Sequence, residues 1–209
     1  MNIKTYGIAK KNRSISDIIN QNNSIIFIIF CFLLGFLTGV LFFKFKNTGG
    51  TFYSENFSRI YSGFKSGFWK VFINSAIEIF PFAAGIFLSG TCMIGAVLVP
   101  SVMIIRGAWI SLTMSYTYCN FGLTGIVFNL LILIPAYIIS TIAMSLSARE
   151  SLGFSMSLAK LALPGSSSPK IEQDFKMYCL RQLFILLFFV ISCFVQSVMS
   201  ISFIQFFNF

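Results

Sequence analysis

The chain has 209 residues, of which 56% are apolar and only 10% charged, with a mean hydropathy of +0.85 and a formal net charge of +9. A soluble domain carries about 25% charged residues, so this composition excludes an ordinary soluble core; the apolar residues are gathered in blocks long enough to cross a bilayer. The basic excess points to loops beside membrane spans, where Lys and Arg set orientation and meet anionic headgroups, and not to nucleic acid.

These features predict an all-α fold: a polytopic transmembrane helix bundle of about five spans in one membrane domain, in contact with the lipid bilayer. Residues 1–23 are polar and basic, with Lys4, Lys10, Lys11 and Arg13 against Asp17, and read as a cytoplasmic N-terminal tail. The first apolar block, 24–43, is too long for a signal-peptide core, and Lys44 and Lys46 follow it in place of a small-residue cleavage site. It reads as an uncleaved anchor span, a cleaved signal being the lesser alternative.

Residues 44–71 form an extracytoplasmic loop of amphipathic character. Phe57, Ile60, Tyr61, Phe64, Phe68 and Phe72 recur at three- and four-residue spacing, with Arg59, Lys65 and Lys70 at other positions. That pattern suits a helix lying in the headgroup region or one packed on the bundle from the aqueous side. The apolar stretch that follows, 72–118, would be roughly 70 Å long as a helix at ~1.5 Å per residue, against about 30 Å for one crossing. It therefore holds two spans, 72–91 and 95–118. The turn between them falls at Ser89-Gly90-Thr91 through Gly95, and Pro81 and Pro100 kink the two helices.

Asn120-Phe121-Gly122 marks the next turn, before a span at 123–146 that contains Pro135. Residues 147–176 read as a polar cytoplasmic loop with Arg149, Lys160, Lys170 and Lys176, broken at Pro164-Gly165-Ser166-Ser167-Ser168-Pro169. The last span runs over 177–204. An odd number of spans places the termini on opposite sides, and the basic residues favour a cell-membrane protein with a cytoplasmic N-terminus and an extracytoplasmic C-terminus.

The chain has no histidine, which excludes a Ser-His-Asp triad, a Cys-His pair and a His-Glu-x-x-His zinc site. Cys31, Cys92, Cys119, Cys179 and Cys193 form no Cys-x-x-Cys pair, and there is no phosphate-binding or dinucleotide fingerprint. No catalytic, cofactor-binding or metal-ligating residue can be named, and a non-enzyme is expected. Two ionisable residues fall inside apolar blocks: Glu78 in the second span and Arg106 in the third. A charge there is expensive without a partner. The two lie nearly equally far from the Gly90–Gly95 turn, so the spacing predicts an ion pair between adjacent spans. It would be a packing clasp or a polar point in a conduction path, the remaining structural alternative being an arginine that snorkels to the interface. Small residues at four-residue spacing (Gly35 and Gly39, Gly85 and Ser89, Ser111 and Ser115) mark faces for close helix contact, and Ser192, Gln196 and Ser200 form a polar line on the last span.

Residues 70–147 resemble the stage II sporulation protein M family. The pattern is Asn74 at the start of a span, a turn marked by Gly90 and Gly95, and an apolar run ending in Arg106-Gly107. An Asn-Phe-Gly-x-x-Gly turn from Asn120 to Gly125 and a span containing Pro135 follow. The resemblance implies a non-catalytic multi-pass membrane scaffold subunit of a peptidoglycan-remodelling complex, like that which acts in engulfment during sporulation. Its partners would be membrane-anchored cell-wall hydrolases, the stage II sporulation proteins D and P. Glu78, Arg106 and Gly107 enter as structural polar candidates, and Gly35, Gly39, Gly90 and Gly95 as helix-packing positions. The alternative from the residues alone is a membrane permease or transporter subunit with a polar site at Glu78 and Arg106.

Overall fold

The computed structural model describes residues 15–46, 67–161, 171–203 and 206. The basic residues 1–14, most of the amphipathic segment (47–66) and the Pro164–Pro169 break lie outside the described residues. The described chain is helical: α1 (Ile15–Lys46), α2 (Phe68–Gly90), α3 (Gly95–Phe128), a π turn (Asn129–Leu133), α4 (Ile134–Leu161) and α5 (Ile171–Phe203). Among the described residues, 4 helical stretches are long and apolar enough to cross a membrane: Asn23–Lys44, Phe68–Thr91, Gly95–Ala159 and Asp174–Phe203.

This is one stretch fewer than the sequence suggests, and the difference lies at Asn120-Phe121-Gly122. No loop interrupts the helix there. A single residue, Gly122, leaves helical backbone geometry, at φ 54° and ψ −129°, and Gly95–Ala159 is one run of 65 residues. That conformation is open to glycine and strained for residues with a Cβ. Across Gly122 the run folds back on itself. Thr117 Oγ1 meets Asn129 Oδ1 at 2.9 Å, the Arg106 guanidinium lies 5.6 Å from the Tyr137 ring, and Ser155 Oγ donates to the Cys92 carbonyl at 2.8 Å. Each pair lies at a similar distance in sequence from Gly122, the signature of two antiparallel helices.

The polar segment 147–176, expected to be a loop, is helical over most of its length: α4 runs on to Leu161 and α5 begins at Ile171. Ser147, Ser151 and Ser155 recur every four residues on the buried side of α4, so the segment has a helical face of its own. Before Pro135 the backbone widens into the π turn. A proline cannot donate to the preceding turn, and in a membrane helix a local π adjustment can re-satisfy the backbone groups it frees.

The packing partners fix the relative directions. Gly35 sits on Ile104 and Gly39 on Ala108 and Ser111, so α1 and the first part of α3 run parallel. Phe68 meets Phe194 at 5.6 Å and Phe87 stacks on Tyr178 at 5.5 Å, so α2 and α5 are antiparallel. Ser192 reaches the Ala136 carbonyl and Gln182 the Ser147 carbonyl, so α4 and α5 are antiparallel as well. Two apolar clusters fill the interior. One contains Ile79, Ile86, Met103, Met144 and Phe189, and the other Val71, Ile110, Phe128, Ile132 and Tyr137. Phe27, Phe30, Leu33 and Leu37 of α1 and Leu183, Phe184 and Leu187 of α5 point outward.

Candidate functional site

The α1–α3 crossing is close because both helices carry glycine there. A Cβ on Gly35 would fall on the Ile104 backbone, and one on Gly107 would lie 2.9 Å from the Phe36 nitrogen and 3.3 Å from the Gly35 carbonyl carbon. Backbone cannot yield as a side-chain tip can, so the approach exists only while these positions lack a Cβ. Gly107 thus seats α1 against α3, and that seating holds its neighbour Arg106 facing the interior.

Arg106 is fully buried, at 0% exposure. Its Nη1 lies 3.2 Å from Glu78 Oε1, where the side chains are 1% and 13% exposed. The pair joins α3 to α2. Tyr137 of α4 donates its hydroxyl to the same Glu78 oxygen at 3.3 Å. The guanidinium carbon sits 5.1 Å from the centre of the Phe82 ring and 5.6 Å from that of Tyr137, so aromatic faces flank the charge. Three helices therefore meet at one carboxylate oxygen. Arg106 Nε and Nη2, also buried, have no hydrogen-bond partner.

The depth of this cluster follows from helix geometry. At ~1.5 Å per residue, Glu78 is about 15 Å along α2 from Phe68 and about 18 Å from Gly90. Arg106 is about 17 Å from Gly95 and about 24 Å from Gly122 on the same measure. The ion pair sits near the middle of the helices that carry it.

Polar groups mark both ends of the bundle as well. At the Gly122 end, Asn129 exchanges hydrogen bonds with Thr117 and donates to the Met114 carbonyl at 3.3 Å. At the other end a relay runs from α5 to the last turn of α2. Gln182 Nε2 donates to Ser151 Oγ at 3.1 Å, Ser151 and Tyr178 share a bond of 3.0 Å, and the Tyr178 hydroxyl donates to the Phe87 carbonyl at 3.0 Å. Gly90 and Gly95 lie beneath this relay: a Cβ on either would meet Ser151 or Ser155, and on Gly90 also the Tyr178 hydroxyl. The turn glycines named from sequence are thus contact points with α4 and α5 besides being a chain reversal. Glu150 and Arg181 form a second ion pair at 2.7 Å, but Arg181 is 54% exposed, and such pairs add about 0–1 kcal/mol.

Of the residues singled out from sequence, the structure brings together Glu78 and Arg106, and separately Gly35, Gly39 and Gly107. Gly90 and Gly95 lie at the turn end and touch neither group. Ser192 donates to the Ala136 carbonyl at 2.7 Å, Ser200 to its own helix, and the Gln196 side-chain oxygen is buried without a partner. Sequence reasoning missed Tyr137, because a tyrosine in an apolar span reads as ordinary core. It also missed Ser147, Ser151 and Ser155, whose four-residue spacing was present but lay in a segment read as loop.

The cluster can hold a charge in the interior and pass hydrogen bonds between helices. Among the described residues no group of three or more Cys, Asp or Glu side chains is placed to hold a metal ion. Comparison of the chain with protein-family models, with curated proteins and with solved structures finds no match.

Proposed function

We propose that the chain is an integral membrane protein that crosses the bilayer five times and serves as a non-catalytic scaffold subunit of a membrane complex. The count of five follows from treating Gly95–Ala159 as two crossings. A straight run of 65 residues would extend about 98 Å at ~1.5 Å per residue, more than three times the ~30 Å hydrocarbon core. Two crossings joined at Gly122 account for the antiparallel contacts. They also make α1 and α3 parallel, as alternate crossings are.

The observation that carries the scaffold reading is how the small and polar residues are used. Gly35, Gly39, Gly90, Gly95 and Gly107, the serines Ser147, Ser151, Ser155 and Ser192, and the charged pair are turned inward to join helices, while the outward faces of α1 and α5 are large and apolar. Helix association in lipid draws on such close packing and internal hydrogen bonding. On the resemblance to the stage II sporulation protein M family, the partners are membrane-anchored cell-wall hydrolases, and the complex remodels peptidoglycan at the cell membrane. The N-terminus is then cytoplasmic and the C-terminus extracytoplasmic. Purification of the tagged chain from native membranes in mild detergent tests this reading. Co-purifying hydrolases support it, and a solitary chain counts against it.

One observation favours a second reading, a permease subunit with its polar site at Glu78 and Arg106. A buried arginine with two unpartnered nitrogens is an unusual expense in a purely structural clasp. Cysteine accessibility scanning along α2 and α3 tests it, and uniform protection from aqueous reagents would remove it.

A further inference from the structure

One contact sets the depth of α5. Ser192 Oγ donates to the carbonyl of Ala136, the neighbour of Tyr137, so Ser192 lies level with the buried ion pair near the middle of the bundle. At ~1.5 Å per residue, Arg181 is about 17 Å from that level and Lys176 about 24 Å. The hydrocarbon of a bilayer ends about 15 Å from its midplane, and the headgroups end at about 20–22 Å. Arg181 and Lys176 therefore bracket the layer that holds lipid phosphates.

The surface that runs from them toward the midplane is apolar. Lys176, Leu180, Leu183 and Leu187 recur at helical spacing on one face of α5, and the three leucines, with Phe184 beside them, are exposed. The charge at the head of this face is only partly satisfied. Arg181 gives Nη1 to Glu150 at 2.7 Å while its side chain stays 54% exposed, which leaves further N–H donors for an acceptor from outside. Lys176 is exposed and makes no hydrogen bond or ion pair among the described residues.

We propose that this end of α5 binds an anionic phospholipid, with its phosphate held between Arg181 and Lys176 and its acyl chains along Leu180, Leu183, Phe184 and Leu187.

The guanidinium fork matches paired phosphate oxygens, and a lysine near a helix end extends its ammonium to the interface. A soluble phosphate would use these cations alone, whereas a lipid uses the cations and the apolar face that continues from them. Charge favours an anionic lipid. Arg181, Lys176 and Glu150 sum to one positive charge, and one basic residue near the surface is worth about fivefold in affinity for anionic over neutral lipid. Asp174 and Glu172 lie further along α5, about 27 and 30 Å from the level of the ion pair, in the water beyond the headgroups. Arg149 is at the depth of Glu150 but on the other side of α4. Ser147, Glu150, Ser151 and Phe154 all meet α5, and at 100° per residue position 149 is opposite them.

The site rests on the bilayer-crossing reading and on neither the scaffold nor the permease role. The full-length chain carries Trp69→Phe and Trp109→Phe, with Phe184→Trp as the reporter, and is reconstituted in phosphatidylcholine vesicles. Quenching by dibrominated phosphatidylglycerol is compared with quenching by dibrominated phosphatidylcholine. The expected preference for the anionic lipid is about fivefold. Lys176→Gln or Arg181→Gln brings it to parity or below, and Glu150→Gln raises it by about a further fivefold. Arg149→Gln leaves it within about twofold, because the far side of α4 is more than a Debye length of about 8 Å away. Equal quenching by the two lipids would overturn the proposal, as would a loss with Arg149→Gln as large as that with Arg181→Gln, which marks diffuse surface attraction. Either result leaves the bilayer-crossing reading standing, whereas quenching by neither lipid would overturn both.

Discussion

Removing the carboxylate of Glu78 while leaving Arg106 in place is the sharpest perturbation of the buried pair. Glu78→Ala strips the guanidinium of its one partner and the Tyr137 hydroxyl of its acceptor. Two unit charges 3.2 Å apart attract by about 5 kcal/mol at an effective dielectric constant of ~20. Breaking a buried pair from one side costs about 3–5 kcal/mol, because the surviving charge is left uncompensated. Arg106 cannot relieve this by reaching an end of its helix. Its side chain is 1% exposed, and each end is about 17 Å or more away along α3. The expected loss for Glu78→Ala is therefore about 3–5 kcal/mol. The assay is reversible unfolding of the purified chain in mixed micelles titrated with sodium dodecyl sulfate. Replacing both residues, Glu78→Ala with Arg106→Met, removes the stranded charge, so the double variant is more stable than Glu78→Ala alone and the cycle is non-additive. A Glu78→Ala chain within about 1 kcal/mol of wild type, or strictly additive single and double variants, would refute the reasoning.

Other substitutions probe separate contacts. Gly35→Ala places a Cβ on the Ile104 backbone and destabilises by about 1–3 kcal/mol, whereas Gly153→Ala, with nothing within 4 Å, is neutral or stabilising by up to about 1 kcal/mol; paired unfolding titrations check both. Gly122→Ala meets no neighbour within 4 Å yet loses about 1–3 kcal/mol through backbone strain alone, and a cost indistinguishable from that of Gly153→Ala would contradict the reversal at this residue. Tyr178→Phe leaves the Phe87 carbonyl without its side-chain donor and breaks the link to Ser151. The loss is about 1–3 kcal/mol, and faster amide exchange at the turn after α2 accompanies it.

Much of the bundle is legible because lipid imposes few rules. A long apolar block reads as a helix, and glycine marks where helices touch or turn. Glu78 and Arg106 stand out for the same reason, as the ionisable residues placed deep in apolar sequence, and counting outward from the intervening turn is enough to set them opposite one another. Gly35 and Gly39 announce the α1 face, but their spacing says nothing of which helix it meets. That Gly107 completes the crossing is a long-range fact. Helix ends were harder to read. α4 continues to Leu161 through residues whose polarity suggests a loop, because its serines face a polar strip on α5 and not water. Tyr137 was invisible for a related cause: its hydroxyl acquires meaning only once α4 is laid against α2. The Gly122 reversal shows the opposite lesson, since three residues read as a loop collapse to one non-helical residue when the glycine can adopt positive φ.

A five-crossing bundle requires the chain to reverse at Gly122, so that Gly95–Ala159 makes two crossings. Two native cysteines report on this directly. Cys92 is exposed in the turn between α2 and α3, and Cys119 is exposed beside Gly122 at the far end of α3. In whole cells expressing chains that retain only one of them, a membrane-impermeant maleimide should label Cys119 from outside and reach Cys92 only after permeabilisation. Labelling of both from the same side, or of neither after permeabilisation, would contradict the five-crossing bundle.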